Sequence, residues 1–169
     1  MLDEALFQGE LVRLVALDAD KVAEHFFKWD HDSEYWRLLA AEPAMSYSKK
    51  QIKDLIEKEL DGDKGDLFFF MIQSLQDWRI IGQIGLDGVK WTHGDTFVGI
   101  SIGERELWSK GYGTDAMRVI LRYAFTELNL QRVSLTVFEY NPRAIRSYEK
   151  AGFVVEGRLR KILLRGGRR

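Results

Sequence analysis

The sequence has no cysteine, and only two prolines and three histidines stand among its 169 residues. Without cysteine there is no disulfide scaffold, no thiolate nucleophile and no Cys-ligated zinc or iron–sulfur centre, which fits a reducing, cytoplasmic setting. His25, His31 and His93 lie far apart and show no ligand spacing, so no metal is expected. The longest uninterrupted apolar run, Leu67-Phe68-Phe69-Phe70-Met71-Ile72, falls far short of the roughly 20 residues of a membrane span. No membrane partner is expected, and Asp3 and Glu4 stand where a secretory leader carries basic residues. Neither sign of charge is in excess: 25 basic side chains against 26 acidic ones argue against a protein built to neutralise nucleic-acid phosphates.

That balance is uneven along the chain. Arg158, Arg160, Lys161, Arg165, Arg168 and Arg169 crowd the end with no acid among them, so the body before them carries a formal charge of −7. Leu159, Ile162, Leu163 and Leu164 alternate with these cations, the pattern of a strand with solvated basic edges rather than of a nucleic-acid tail. No repeat, low-complexity tract or Gly/Ser linker divides the chain. Residues 1–169 therefore read as one domain.

Hydrophobic periodicity supplies the elements. Glu10–Val15 alternates as a short strand, and Asp18 or Asp20 can cap a helix bearing Val22, Phe26 and Trp29 on one face. Ser48 and Gln51 form a capping-box pair before a helix with Ile52, Leu55, Ile56 and Leu60 aligned, and Asp61-Gly62-Asp63-Lys64-Gly65 ends it. Leu67–Leu75, Arg79–Leu86 and Thr96–Ile102 are strand-like with short links, an antiparallel meander. Met117, Ile120, Leu121, Ala124 and Leu128 line a long helix that stops near Asn129, and Arg132–Phe138 is β-branched enough for a buried strand. Asn141 caps and Pro142 begins a further helix that Gly152 ends. Phe153–Glu156 and Leu159–Arg165 are short strand candidates. The order β α α β β β α β α β β predicts an α+β fold, helices covering a largely antiparallel sheet.

The chemistry concentrates in Ser109-Lys110-Gly111-Tyr112-Gly113-Thr114, between a strand and a helix. Its glycines allow close backbone approach, the helix N-terminus offers unpaired N–H groups and Lys110 adds charge, so a pyrophosphate would sit well there. Alone, a Gly-x-Gly segment is more often only a turn. Read as Gly111-x-Gly113-x-x-Ala116, with Glu139 after the next strand, it imitates a dinucleotide fingerprint. The seven residues between Gly103 and Gly111 oppose that reading, because the fingerprint turns directly off its strand. No P-loop pattern is present.

Thirty residues on stands Asn141-Pro-Arg-Ala144-Ile-Arg-Ser-Tyr148-Glu-Lys-Ala-Gly152-Phe153. With it the chain resembles the GNAT superfamily of acetyl-CoA-dependent N-acetyltransferases, in particular the branch of RimJ/RimL ribosomal-protein and spermidine acetyltransferases. The resemblance spans nearly the whole chain. Leu11-Val12-Arg13-Leu14 is similar to that branch's first strand, Ile81–Leu86 to its third and Val98–Gly103 to its fourth. Trp108 stands where the superfamily's general loop has Gln or Arg, and a tryptophan there is typical of the RimJ/RimL branch.

The resemblance implies a GNAT fold, a mixed, mostly antiparallel sheet splayed between its fourth and fifth strands, with acetyl-CoA in the gap. Ile100, Ser101 and Ile102 would then supply backbone groups to its pantetheine, and one N–H could polarise the thioester carbonyl. Ser109, Lys110, Gly111, Tyr112, Gly113 and Thr114 would hold the pyrophosphate, and Asn141 and Arg146 would bind the cofactor too. Tyr148 would bond the departing thiolate: against a thiol near 8.5 its phenol near 10 is too weak an acid for full transfer, so hydrogen bonding is the expected contribution. Glu139, just beyond the fifth strand, and Glu104, just after the fourth, are candidate general bases through water, with Asp87 a third option. Trp29, Trp36 and Trp91, with Asp87, fall in segments that wall the acceptor pocket.

The implied activity is direct acetyl transfer to a primary amine, foremost the N-terminal α-amine of a protein or peptide. A small amine such as a polyamine or amino sugar is the alternative acceptor, and a non-catalytic acyl-CoA-binding module or a nucleotide-binding domain the alternative classes. Gly166-Gly167 signals a hairpin turn, and the family continues there with a seventh strand, so the chain reads as about one strand short. A chain ending there leaves an open sheet edge that a second protomer could cover in a homodimer.

Overall fold

The computed structural model describes residues 5–60 and 65–166. Strands β1 (Val12–Ala16), β2 (Phe68–Ser74), β3 (Ile80–Lys90), β4 (Asp95–Ile102) and β5 (Arg132–Ser134) form one sheet in that spatial order. The first four pair antiparallel, and β5 lies parallel to β4. The helices are α1 (Ala19–Asp30), α2 (Ser33–Leu39), α3 (Lys49–Leu60), α4 (Tyr112–Thr126) and α5 (Pro142–Ala151).

Two apolar layers close the sheet's faces. The 3.6-residue spacing of Ala116, Met117, Ile120 and Ala124 turns one side of α4 onto Val12, Ile72, Ile84, Leu86 and Val98, all buried. A smaller cluster joins Val22 and Trp29 of α1, Tyr35 of α2 and Met71 of β2. Ile52 of α3 is buried, whereas Leu55, expected on the same face, is 54% exposed. The side chain of Leu60 and the expected helix stop at 61–64 lie outside the described residues. The capping box forms as expected: Gln51 N–H donates to Ser48 Oγ at 3.2 Å and Ser48 N–H to Gln51 Oε1 at 2.9 Å.

The structure adds α2, which the periodicity did not mark. Seven residues are too few to show a helical period, and its start rests on a cap: Asp32 Oδ1 accepts from the N–H groups of Glu34 and Tyr35. At the other end of the chain the sheet is shorter than expected. β5 stops at Ser134 rather than Phe138, and neither 153–156 nor 159–164 is strand. A strand exists only through its ladder, and these segments have no strand beside them among the described residues. Phe153 packs against the main core, but Val154 at 82%, Leu159 at 71% and Ile162 at 73% exposure stay outside it. The expected hairpin turn at Gly166-Gly167 runs into 167–169, outside the described residues.

The pairing of β4 with β5 covers only Asp95↔Arg132, Thr96↔Val133 and Phe97↔Ser134. Beyond Phe97, β4 runs on to Ile102 while the chain after Ser134 parts from it, so the sheet splays as expected.

Candidate active site

The open edge of β4 follows from its hydrogen bonds. Gly103 N–H donates to Ile81 O on β3 at 2.9 Å, and alternate residues of a strand address opposite edges. Ser101 and Gly103 therefore face β3, and the peptide groups of Ile100 and Ile102 face the splay. One of these is already used: Trp108 Nε1–H donates to Ile102 O at 2.7 Å. The close seating of this strand end explains Gly103, where a Cβ would stand 2.1 Å from the Trp29 ring.

After Trp108 the chain turns through two left-handed residues, Ser109 at φ +63° and Gly111 at φ +95°, into α4. Gly111 caps the helix without a side-chain bond, so the first-turn N–H groups are left for a ligand. Thr114 Oγ1 lies 2.7 Å from Ser147 Oγ and ties this helix start to α5. Arg118, Arg146 and Lys150 line the same end and make it cationic. An aspartate in this first turn is neutralised by backbone: Asp115 accepts from the N–H groups of Glu10 (3.2 Å), Leu11 (2.7 Å) and Val12 (3.0 Å), pinning β1 to α4.

Helix α5 forms the opposite wall. Asn141 Oδ1 accepts from Ala144 N–H at 3.2 Å, which spends the oxygen on the cap and leaves the amide NH2 for a ligand. Two turns on, Tyr148 stands edge-on to Phe153 at 6.1 Å, and its hydroxyl makes no hydrogen bond to the described residues. Burial pushes its phenol above the usual value, and nearby Arg143 opposes that only in part. The group stays protonated, as a donor must. Arg143 lies 3.7 Å from the Trp108 ring centroid, with Arg105 at 5.2 Å from the same ring.

These walls enclose a cleft of about 540 Å³. It gathers Ile100, Ser101, Ile102, Ser109, Gly111, Gly113, Thr114, Asn141, Arg146 and Tyr148, which the sequence had named from segments up to 48 positions apart. It also holds residues that the sequence reading did not single out for the site: Tyr35, Leu38 and Leu39 of α2, Trp108, Arg143 and Ser147. Arg143 and Ser147 sit inside the Asn141–Phe153 motif and Trp108 directly before the loop, so those three were within reach of the sequence. The α2 residues were not, because the helix itself was not foreseen.

Other expected site residues lie elsewhere. Lys110 is exposed and does not line the cleft. Tyr112 is buried in the main core with its hydroxyl 3.2 Å from Gln76 Oε1, so only its backbone can reach a ligand. Glu104 is buried on the α1 side of the sheet, where Lys28 Nζ donates to it at 2.6 and 2.7 Å and Trp29 Nε1–H at 3.1 Å. It borders a different cavity, and Trp29 is its partner in the second core. Glu139 is exposed before α5 and outside the cleft lining. Trp36 packs beside that core with Nε1–H donated to Asp30 Oδ1 at 2.8 Å. Asp87 is exposed opposite Phe97, and Trp91 lies in the β3–β4 turn with Nε1–H on Gly65 O.

A cationic helix start, a strand edge open for one more hydrogen-bonding partner and a phenol across the gap together suit a long acyl thioester ending in phosphates. The acetyltransferase (GNAT) domain model matches residues 11–154, and the chain belongs to this family of acetyl-CoA-dependent N-acetyltransferases. It is 31% identical over 120 residues to YokL, a prophage-derived uncharacterized N-acetyltransferase of Bacillus subtilis strain 168, a match covering 71% of this chain and 65% of that relative. It is 33% identical over 159 residues to YjcK of the same strain, named a probable N-acetyltransferase, covering 92% and 87%. Among solved structures it is similar to spermidine N-acetyltransferase from Vibrio cholerae in complex with CoA and spermine. That match has TM-score 0.80 and 25% identity, covering 93% of this chain and 89% of the other. The residues present fit acetyl-CoA as co-substrate. Among the described residues no helix is long and apolar enough to cross a membrane.

Proposed function

We propose that this chain acetylates the N-terminal α-amine of a protein or peptide, as a RimJ/RimL-like cytoplasmic transferase working as a single domain. The observation that carries the choice of acceptor is that, among the described residues, no carboxylate lines the acceptor end of the cleft. Among the described residues Glu10 and Asp115 are the acids of the lining; Asp115 is spent on backbone N–H groups and Glu10 sits beside it at the phosphate end. An amine must lose its proton before it attacks. At pH 7.5 an α-amine of pKa about 7.8 is roughly one third neutral, whereas a lysine-like amine near 10.4 is neutral about once in 800. A cleft without a base therefore suits the α-amine, and Leu38 and Leu39 suit an apolar first residue.

Acetyl-CoA supplies the acetyl group as an activated thioester. In this reading the N–H groups of the Ser109–Thr114 loop, with Arg146, hold the phosphates. Ile100 and Ile102 align the chain of the co-substrate along β4, and Asn141 donates its amide NH2 to it. Tyr148 donates its O–H to the departing sulfur. Glu139 and Glu104, both outside the cleft lining, supply no base in this reading, and a homodimer is part of it.

A second acceptor has its own support. The chain is 33% identical over 99 residues to a spermidine N(1)-acetyltransferase from Vibrio cholerae, besides the structural likeness to that enzyme class. Thiol release from acetyl-CoA over free-N-terminus peptides, the same peptides blocked at the N-terminus and spermidine separates the two. Turnover with the free peptides alone is the expected result; turnover with spermidine alone overturns the α-amine reading.

A further inference from the structure

One polar feature interrupts the apolar end of the cleft. Tyr35 projects from α2 with 3% of its surface exposed, and its O–H donates to Ser101 Oγ at 2.9 Å. Both residues line the cleft, beside Leu38, Leu39 and Ile102. Two hydroxyls kept in such a wall must satisfy each other or a ligand, because an unpaired buried hydroxyl is costly. Their mutual bond accounts for the tyrosine proton and one serine lone pair. Ser101 keeps a second lone pair and its own O–H.

Its place in the strand gives that remaining capacity a direction. Ser101 lies between Ile100 and Ile102, whose peptide groups face the splay in which the acyl group would lie, while its side chain points to the α2 side. An acceptor entering along α2 would meet this hydroxyl before it reached the splay.

We propose that the Tyr35–Ser101 hydroxyl pair positions the acceptor amine: Ser101 Oγ, held in one rotamer by Tyr35, accepts an N–H of the neutral amine and aims its lone pair at the acyl carbon. The proposal rests on the transferase reading and names the site that reading needs at the acceptor end. The pair does not act as the base. Burial holds the Tyr35 phenol far above its usual value, so both groups remain neutral hydroxyls. The N–C bond forms as the C–S bond breaks, the surplus amine proton passes to water and the sulfur leaves as thiolate bonded by Tyr148.

The test is steady-state thiol release with the full chain, varying in turn a free-N-terminus peptide and spermidine, alongside calorimetry of acetyl-CoA binding and thermal melts. Tyr35→Phe and Ser101→Ala are each expected to raise acceptor KM about five- to tenfold at unchanged acetyl-CoA affinity, the loss expected of one hydrogen bond. The double variant is expected to be no worse than Ser101→Ala alone, since both remove one interaction. Ser101→Thr, which keeps the hydroxyl on a strand-compatible residue, restores the wild-type KM. An active wild type whose acceptor KM is unmoved by either single variant, or variants that lose only melting temperature, overturn the pair's role and leave the transferase reading standing. A wild type that binds acetyl-CoA yet acetylates neither probe overturns both.

Discussion

Replacing Tyr148 by Phe removes one oxygen and little else. The ring keeps its edge contact with Phe153 and its seat against the main core, so folding is expected to hold. What is lost is a donor to a sulfur that becomes negative only as the C–S bond breaks. A hydrogen bond to a charged group is worth about 1.5–3 kcal/mol, and one decade of rate corresponds to about 1.36 kcal/mol, so kcat should fall about 10- to 150-fold. Acetyl-CoA affinity should change little, because the ground-state thioester carries no charge at sulfur. The sign of the pH effect follows from burial, which raises the phenol's pKa: the donor is present at all lower pH and is lost only as pH rises through that raised value. Wild-type kcat should therefore not decline with phenol ionisation below about pH 10. Stopped assays of thiol release at saturating acetyl-CoA, with calorimetric Kd beside them, make the comparison. An unchanged kcat, or a Kd that weakens as much as kcat falls, refutes the assignment.

Two further expectations concern the scaffold. Burial works to raise the pKa of Glu104, but the hydrogen bonds from Lys28 and Trp29 more than offset it, leaving the carboxyl below its usual value. Such a group stabilises the fold above the ordinary carboxylate pKa of about 4.3, and that stabilisation is lost as pH falls through the lower folded value. Melting temperature should thus drop below about pH 4 in the wild type and drop less in Glu104→Gln; equal slopes would contradict the ion-pair account. Asp115→Ala leaves three N–H groups of residues 10–12 without their acceptor, at a cost of roughly 3 kcal/mol in urea unfolding with an unaltered m-value. A loss below about 0.5 kcal/mol would show that water replaces the carboxylate.

Local chemistry made much of this molecule legible in advance. Gly111 needs its freedom at φ +95°, Asn141 and Pro142 start a helix through a side-chain cap and a fixed φ, and Met117, Ile120 and Ala124 mark a buried face by spacing alone. Such signals lie within one or two helical turns of each other, so the sequence carries them whole. The order and spacing of the two ligand motifs likewise placed the family, and with it the splay.

Tertiary structure decided everything that depends on which face of the sheet a residue occupies. Glu104 follows β4 by only two residues, yet Gly103 packs against Trp29 and carries the carboxylate to the α1 side, away from the cleft. Ser101 and Tyr35 are 66 positions apart and meet because α2, too short to announce itself by period and started by the cap at Asp32, brings the tyrosine hydroxyl against β4. The segments after Ser134 and after Gly152 have the composition of strands but not the state, since a strand is completed by its neighbour and not by its own residues. Sequence fixes local conformation because the interactions are local; a site assembled from both faces of a sheet depends on long-range register, which no single segment contains.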